Sequence, residues 1–428
     1  MIFSDSAIQN RKARTATALS NHLAAQDAVL VFAGEPIQKP GGHDQTYNYI
    51  PHPDYFWLTG YRRPSGISVF SKDTGWTDFV MPVSTEEKIW EGGGHPVAGE
   101  DLSRLEEWLT SKKFGRLIAI GRPVDRTHLQ KINLVEDHQM QEVFSDVRRV
   151  KDAEEIQLVR TLAGHAHKGY QLLKKIIRPG ISERAIQIEY EAEVLRAGAE
   201  TMPYGTIVGT GTNSAILHAS PSDRIVKDGE HVLVDAGADL YHYCVDITRN
   251  FAANGKFSSQ QQALYDVVKQ GQLSAIEQCK PGVEWHQVHR TAGVTMAKGL
   301  RELGLLKISG EEAFDSGAIG VFFPHGVGHM VGLQVRDVGG KPNPNPKRYG
   351  GARLRVDMPL REGFLMTVEP GLYFIEALIE SADLQKQFAD QIAWTEVSKW
   401  KNFGGIRLED DIWITANGPQ NLTSAVEK

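Results

Sequence analysis

The stretch VLVDAGADLYHYCVDI, residues 232–247, reads as two apolar strands folded back on each other, each interrupted by a carboxylate. A turn centred between Leu240 and Tyr241 sets Asp235 directly opposite Asp246, because the two lie equally far from that centre. Facing side chains on neighbouring strands have Cβ atoms about 4.5–5.5 Å apart, and like charges there repel. Three arrangements relieve the repulsion. One carboxylate faces solvent, Arg249 neutralises the pair, or the two share a cation.

The rest of the chain supplies a counterpart. Asp228-Gly-Glu-His-Val-Leu-Val-Asp235-Ala-Gly shares a template with Glu362-Gly-Phe-Leu-Met-Thr-Val-Glu369-Pro-Gly, as expected of a domain built from two related halves. Glu409 lies in GGIRLEDDIWIT (404–415), an apolar strand broken by carboxylates. Taken alone, Glu409 reads as a solvent-facing strand residue. Together the two halves contribute four strand-borne carboxylates, and burying that charge without compensation costs too much. Two divalent ions cancel it, and dinuclear sites hold their ions about 3.5–4 Å apart.

Histidines fit the same scheme. PHGVGHMVGL (324–333) places His325 and His329 four residues apart. A helix would aim both at one ion, but the glycines at 326, 328 and 332 argue against a helix, and the glutamate of an HExxH motif is missing. In an extended segment the two lie about 13 Å apart, at about 3.3 Å per residue, so one ligand and one neighbouring site residue is the expected division. His218, in NSAILHASP, is a third candidate.

Around this site the chain divides in two. With 428 residues, two domains are expected. Apolar runs at 28–34, 66–71 and 117–121, separated by amphipathic stretches, make residues 1–147 a smaller α/β domain. Helical periodicity from Lys151 to Ile177 opens the second domain, 148–428, and Ser182 caps the next helix. Further helices are expected at about 258–279 and 285–304, and a less regular one at 376–398. Glycine-punctuated β-branched and aromatic runs make this domain α+β.

Composition excludes several functions. A net charge of −6 without a Lys/Arg block argues against nucleic acid, and no apolar run approaches the about 20 residues that span a bilayer. The two cysteines, Cys244 and Cys279, and an N-terminus without a signal-peptide stretch point to a reducing, cytoplasmic setting.

These motifs resemble the prolidase and aminopeptidase P family, whose catalytic domain has the pita-bread fold with two pseudo-symmetric halves. The resemblance runs in order through TIVGTGTNSAILH (206–218), VDAGADLYHYCVDITRNF (234–251), FFPHGVGHMVGLQVRDVGG (322–340), MTVEPGLYF (366–374) and GGIRLEDDIWIT (404–415). It is weaker in the first domain, through YFWLTGY (55–61) and the tryptophan of KIWEGG (88–93). It implies metal ligands at Asp235, Asp246, His329, Glu369 and Glu409, and two divalent ions, manganese first, with cobalt or zinc as substitutes. It also implies site roles for His218, His325 and Tyr204, and an Arg407 that holds a ligand carboxylate.

Two positions bear on substrate. Arg355 matches the arginine that in prolidases grips the free carboxylate of a dipeptide, and the 374–404 insert is prolidase-like. One departs from the family. A pattern whose histidine sits in the active site reads Gly332-Leu333-Gln334-Val335-Arg336-Asp337, with Arg336 in the histidine's place. Arg336 either stabilises the oxyanion or grips a substrate carbonyl, altering substrate range or rate, or it points away and the role is lost.

The expected activity is therefore that of an Xaa-Pro dipeptidase acting through a metal-bound hydroxide, with Glu369 taking the proton and His218 or Arg336 stabilising the oxyanion. A small peptide is the expected partner, and the family suggests a homodimer. Alternatives are an Xaa-Pro aminopeptidase acting on longer peptides, a prolidase-like organophosphate hydrolase, or a binding or creatinase-like protein that has lost its ligands.

Overall fold

The computed structural model describes residues 2–427 except 43–44, 94–96, 122–128, 130–131 and 340–346, so Gly340 of the third motif lies outside the described residues. The chain forms two units, Met1–Arg148 and Arg149–Lys428. In the first, the three apolar runs become Ala28–Phe32, Ile67–Ser71 and Leu117–Ile120, the centre of a six-stranded mixed sheet. Its core packs Leu30, Val69 and Phe79 against Leu105 and Leu109 of the helix Leu105–Lys112.

The second unit is α+β. Asp152 and Glu155 form a reciprocal cap that starts the helix Ala153–Ile176, Ser182 caps Glu183–Ala197, and Ser258 with Gln261 starts Ser259–Gln278. Trp285–Glu302 packs on the last of these, burying Met296 and Leu300 in the main core. The 376–398 region is not one helix. It breaks into Glu376–Ile379, Ala382–Gln387 and Trp394–Ser398, the first two being separated by the cap residue Ser381. No helix among the described residues is long and apolar enough to cross a membrane.

The two copies of the repeated template fold alike. Each begins with a glycine at positive φ, 75° at Gly229 and 87° at Gly363, and runs into a buried strand that leads to its carboxylate. His231–Asp235 lies between Ile207–Thr210 and Thr248–Ala252. Leu365–Val368 pairs with Asp410–Thr415, and beyond an interruption Gly371–Tyr373 pairs in the same register with Gly405–Arg407 as a separate two-stranded sheet. A bridge between Thr248 and Glu409 joins the halves at the point where their carboxylates meet.

Candidate metal centre

Register places the acidic side chains, and it corrects the hairpin expected from the sequence. The turn residues are Tyr241 and His242, both at positive φ (54° and 67°), so the ladder pairs Tyr243 with Leu240. Asp235 consequently faces Thr248, and Asp246 lies two residues off, diagonally across on the same face. The hydroxyl of Tyr204 lies between the two, 2.7 Å from Asp235 Oδ1 and 2.6 Å from Asp246 Oδ1. Arg249 does not neutralise them. It binds Asp410 Oδ1 at 2.7 Å and the carbonyl of Val426 at 2.8 Å instead.

In the second half the ladder pairs Val368 with Asp410 and Gly371 with Arg407, which sets Glu369 directly opposite Glu409. His329 comes from an extended segment beside this strand, as its glycines suggested. Met330 bridges Met366, and the Thr367 and Glu369 amides donate to the His329 and Val327 carbonyls. A Cβ on Gly328 would stand 2.0 Å from the Thr367 carbonyl oxygen, so only glycine permits this close approach.

His329 Nε2 lies 3.5 Å from Asp246 Oδ2 and 3.7 Å from Glu369 Oε1. Its Nδ1 donates to the Met330 carbonyl at 2.9 Å, which fixes the ring with Nε2 turned toward the carboxylates. Asp246, His329 and Glu409 each offer a ligand atom, all within 4.8 Å of one another.

Arg407 ties the halves together. It donates to Asp235 Oδ2 at 2.6 Å, to the Tyr373 hydroxyl at 2.9 Å and to Thr248 Oγ1 at 3.2 Å. Thr248 in turn donates to Glu409 Oε2 at 2.8 Å. His325 is engaged at both nitrogens. Nδ1 donates to the Gly326 carbonyl at 2.8 Å, and Nε2 accepts from the Tyr373 hydroxyl at 2.9 Å. Burial, then the Arg407 charge, holds this imidazole down at about 3, so it is neutral.

All eleven residues singled out from the sequence line one cleft of about 660 Å³. Arg355 reaches Glu369 Oε1 at 3.4 Å, while Arg336 and His218 are exposed within the cleft. Burial, then the charges of Arg336, Arg355 and Arg407, lowers the pKa of His218. Sequence reading missed Thr248, Tyr373 and Asp411, whose Oδ2 accepts from the Asp246 amide at 3.1 Å. Alternation could have found two of them, since Tyr373 lies four residues beyond Glu369 and Asp411 two beyond Glu409.

Burial unbalances these carboxylates. It pushes Asp235 up to about 6 against the relief from Arg407, and raises Glu369 and, further, Glu409, where the Asp246 charge adds to it. Asp246 goes the other way, because its hydrogen bond and attraction to His329 outweigh burial.

Residues 155–416 match the family model described as metallopeptidase family M24. The chain belongs to that family. Residues 8–104 of this M24 chain also match the aminopeptidase P N-terminal domain. A probable Xaa-Pro aminopeptidase of Emericella nidulans is 32% identical over 410 residues, 90% of this chain and 87% of its own length. A second, from Podospora anserina, is 32% identical over 419 residues, 93% and 90% of the two chains. The solved aminopeptidase PepP of Pseudomonas aeruginosa superposes with a TM-score of 0.79 at 26% identity, over 100% of this chain and 97% of the other. A variant of Escherichia coli aminopeptidase P in complex with substrate gives 0.80 at 26%, over 100% and 96%. The M24 chain thus has a pita-bread domain preceded by an aminopeptidase P N-terminal domain, and it is a metallopeptidase.

The residues present fit divalent ions. Glu409 Oε1 is buried without a hydrogen-bond partner among the described residues, beside a histidine whose ring is held with Nε2 inward. Tyr204 has one proton for two carboxylates at hydrogen-bond distance, so the pair needs a further positive charge or proton between them. Oxygen-rich donors with one imidazole suit manganese or a similar ion.

Proposed function

We propose that this M24 chain is an Xaa-Pro aminopeptidase that removes the first residue of peptides whose second residue is proline. Asp235, Asp246, His329, Glu369 and Glu409 would hold two divalent ions, manganese by choice. The observation that carries the reading is the convergence of these four carboxylates and one imidazole in a single cleft. Support for longer substrates comes from the names of the relatives and from the cleft itself, whose roughly 660 Å³ leaves room beyond a dipeptide.

The position of Arg355 also favours the aminopeptidase reading over the dipeptidase expectation. Arg355 is exposed and reaches toward Glu369 at 3.4 Å, so its charge is shared with a site carboxylate and does not stand apart as the stop for a proline carboxylate.

When bound, the ions supply Lewis acidity toward the substrate carbonyl and lower the pKa of water. The chain's own groups do the rest. Glu369, its pKa raised by burial, takes a proton from the attacking water and delivers it to the proline nitrogen as the bond to the preceding carbonyl breaks. Neutral His218 donates a hydrogen bond to the oxygen on which charge develops. Arg407 and Tyr204 keep Asp235 and Asp246 in place throughout.

The test is hydrolysis of Ala-Pro-Ala and Ala-Pro by chelated protein with and without added Mn²⁺. Release of alanine from the tripeptide, dependent on the metal and faster than from the dipeptide, is expected. Faster cleavage of Ala-Pro would restore the dipeptidase reading.

A further inference from the structure

Four guanidinium groups line the cleft: Arg184, Arg336, Arg355 and Arg407. Three have partners. Arg407 holds Asp235 at 2.6 Å, Arg355 reaches Glu369 at 3.4 Å, and Arg184 donates to Gln187 Oε1 at 2.5 Å. Arg336 makes no hydrogen bond or ion pair among the described residues, though it is exposed in the same cleft.

Arg336 is also held in place by its backbone. The Asp337 amide donates to the Met330 carbonyl at 3.0 Å and closes the loop 330–337. The Asp337 carboxylate is fixed by Lys151 at 2.6 Å, with both side chains buried. A loop closed at both ends by these contacts thus presents an exposed guanidinium whose fork of donors matches a carboxylate. The nearby charge of Arg336 acts on His218, which places it within electrostatic reach of the group assigned to the oxyanion.

Charge balance points the same way. By formal count four guanidinium groups and the four carboxylates Asp235, Asp246, Glu369 and Glu409 line the cleft, so bound divalent ions leave the loaded cleft positive.

We propose that Arg336 is a specificity-determining residue that selects peptides carrying a carboxylate next to the Xaa-Pro bond. This rests on the aminopeptidase reading. The carboxylate has three sources: an acidic first residue, an acidic third residue, or the C-terminus of a tripeptide.

Three matched pairs separate them: Glu-Pro-Ala-amide against Gln-Pro-Ala-amide, Ala-Pro-Glu-amide against Ala-Pro-Gln-amide, and Ala-Pro-Ala as acid against amide. The readout is the ratio of kcat/KM within a pair, which does not depend on the fraction of folded enzyme. At least one pair should favour the anion by about tenfold at low salt, mostly through KM, and less at high salt because the group is exposed. Arg336→Gln should bring that ratio to about one, and Arg336→Glu should make the corresponding lysine peptide the better substrate. Ratios near one in the wild type, or a ratio unchanged by Arg336→Gln, overturn the proposal while leaving the peptidase reading intact. Should no peptide be cut, the peptidase reading fails. Calorimetric binding of the same pairs then decides on Arg336 alone, with equal affinities for anion and amide overturning the proposal.

Discussion

The two halves of the catalytic domain carry the same kind of acidic pair and treat it differently. Asp235 and Asp246 lie diagonally across their hairpin, with a tyrosine hydroxyl between them and a buried guanidinium on Asp235. Glu369 and Glu409 face each other directly, and Glu409 has only the Thr248 hydroxyl on one oxygen and nothing described on the other. The first pair is partly offset by the protein, through Arg407 on Asp235 and His329 beside Asp246. The second needs charge from outside, and Glu409 accordingly has its pKa driven far up by burial and by Asp246. One strand template can thus carry a partly offset carboxylate pair in one half and a more demanding one in the other.

Mutations can break this contrast. Glu409→Gln is expected to have the largest effect, a fall in kcat/KM exceeding the roughly 10–100-fold that follows loss of an outer-shell partner, together with loss of bound metal. Retention of two ions and near-normal rates in that variant would remove Glu409 from the site. Arg407→Met strips the internal balance from the first half. Thermal or denaturant unfolding of the chelated protein should show a loss of about 3–5 kcal/mol, because Asp235 is left as an unpaired buried charge. Unchanged stability would mean that the guanidinium is not what offsets Asp235.

Tyr204→Phe is milder. Removing the shared hydroxyl should cost about 1–3 kcal/mol of stability and lower metal affinity roughly tenfold, read by unfolding and by metal titration.

The smallest effect is on pH dependence. The folded-state pKa of Asp235 is raised to about 6, above its ordinary value of 3.8, so its contribution favours the fold at low pH and is lost as pH rises through the folded value. Glu369, Glu409 and His329 are raised too and act with the same sign. Asp246 is lowered, and its contribution fades only as pH falls through its depressed value. The buried histidines whose pKa is lowered, His325 at about 3 among them, act with the opposite sign, so the comparison is with Asp235→Asn. Relative to that variant the chelated protein should lose stability from about pH 4 to about pH 6, and saturating metal should flatten that difference. A rise over that window, measured by melting temperature, contradicts the assignment.

Much of this site is legible in the sequence, because carboxylates that end apolar strands are conspicuous in a pattern that otherwise alternates. The extended reading of the His325–His329 segment follows from its glycines, and the cap at Ser182 follows from side-chain chemistry. The hairpin register does not follow. Tyr241 and His242 adopt positive φ without the Asn-Gly or Asp-Gly that announces such a turn, so the turn slips by one residue and Asp235 meets Thr248 instead of Asp246. The 376–398 region reads as helical from its composition, but its tertiary packing divides it into short pieces. Arg355 is the clearest limit. Its presence in the cleft could be read from its motif, but its contact with Glu369 depends on how two separate segments converge.

The most direct test is a calorimetric titration of chelated protein with Mn²⁺, with bound metal counted by elemental analysis. Two ions per chain, falling to one or none in Glu409→Gln, is the predicted result. Saturation at a single ion, or no binding at all while the fold persists, would contradict a two-ion centre held by these five residues.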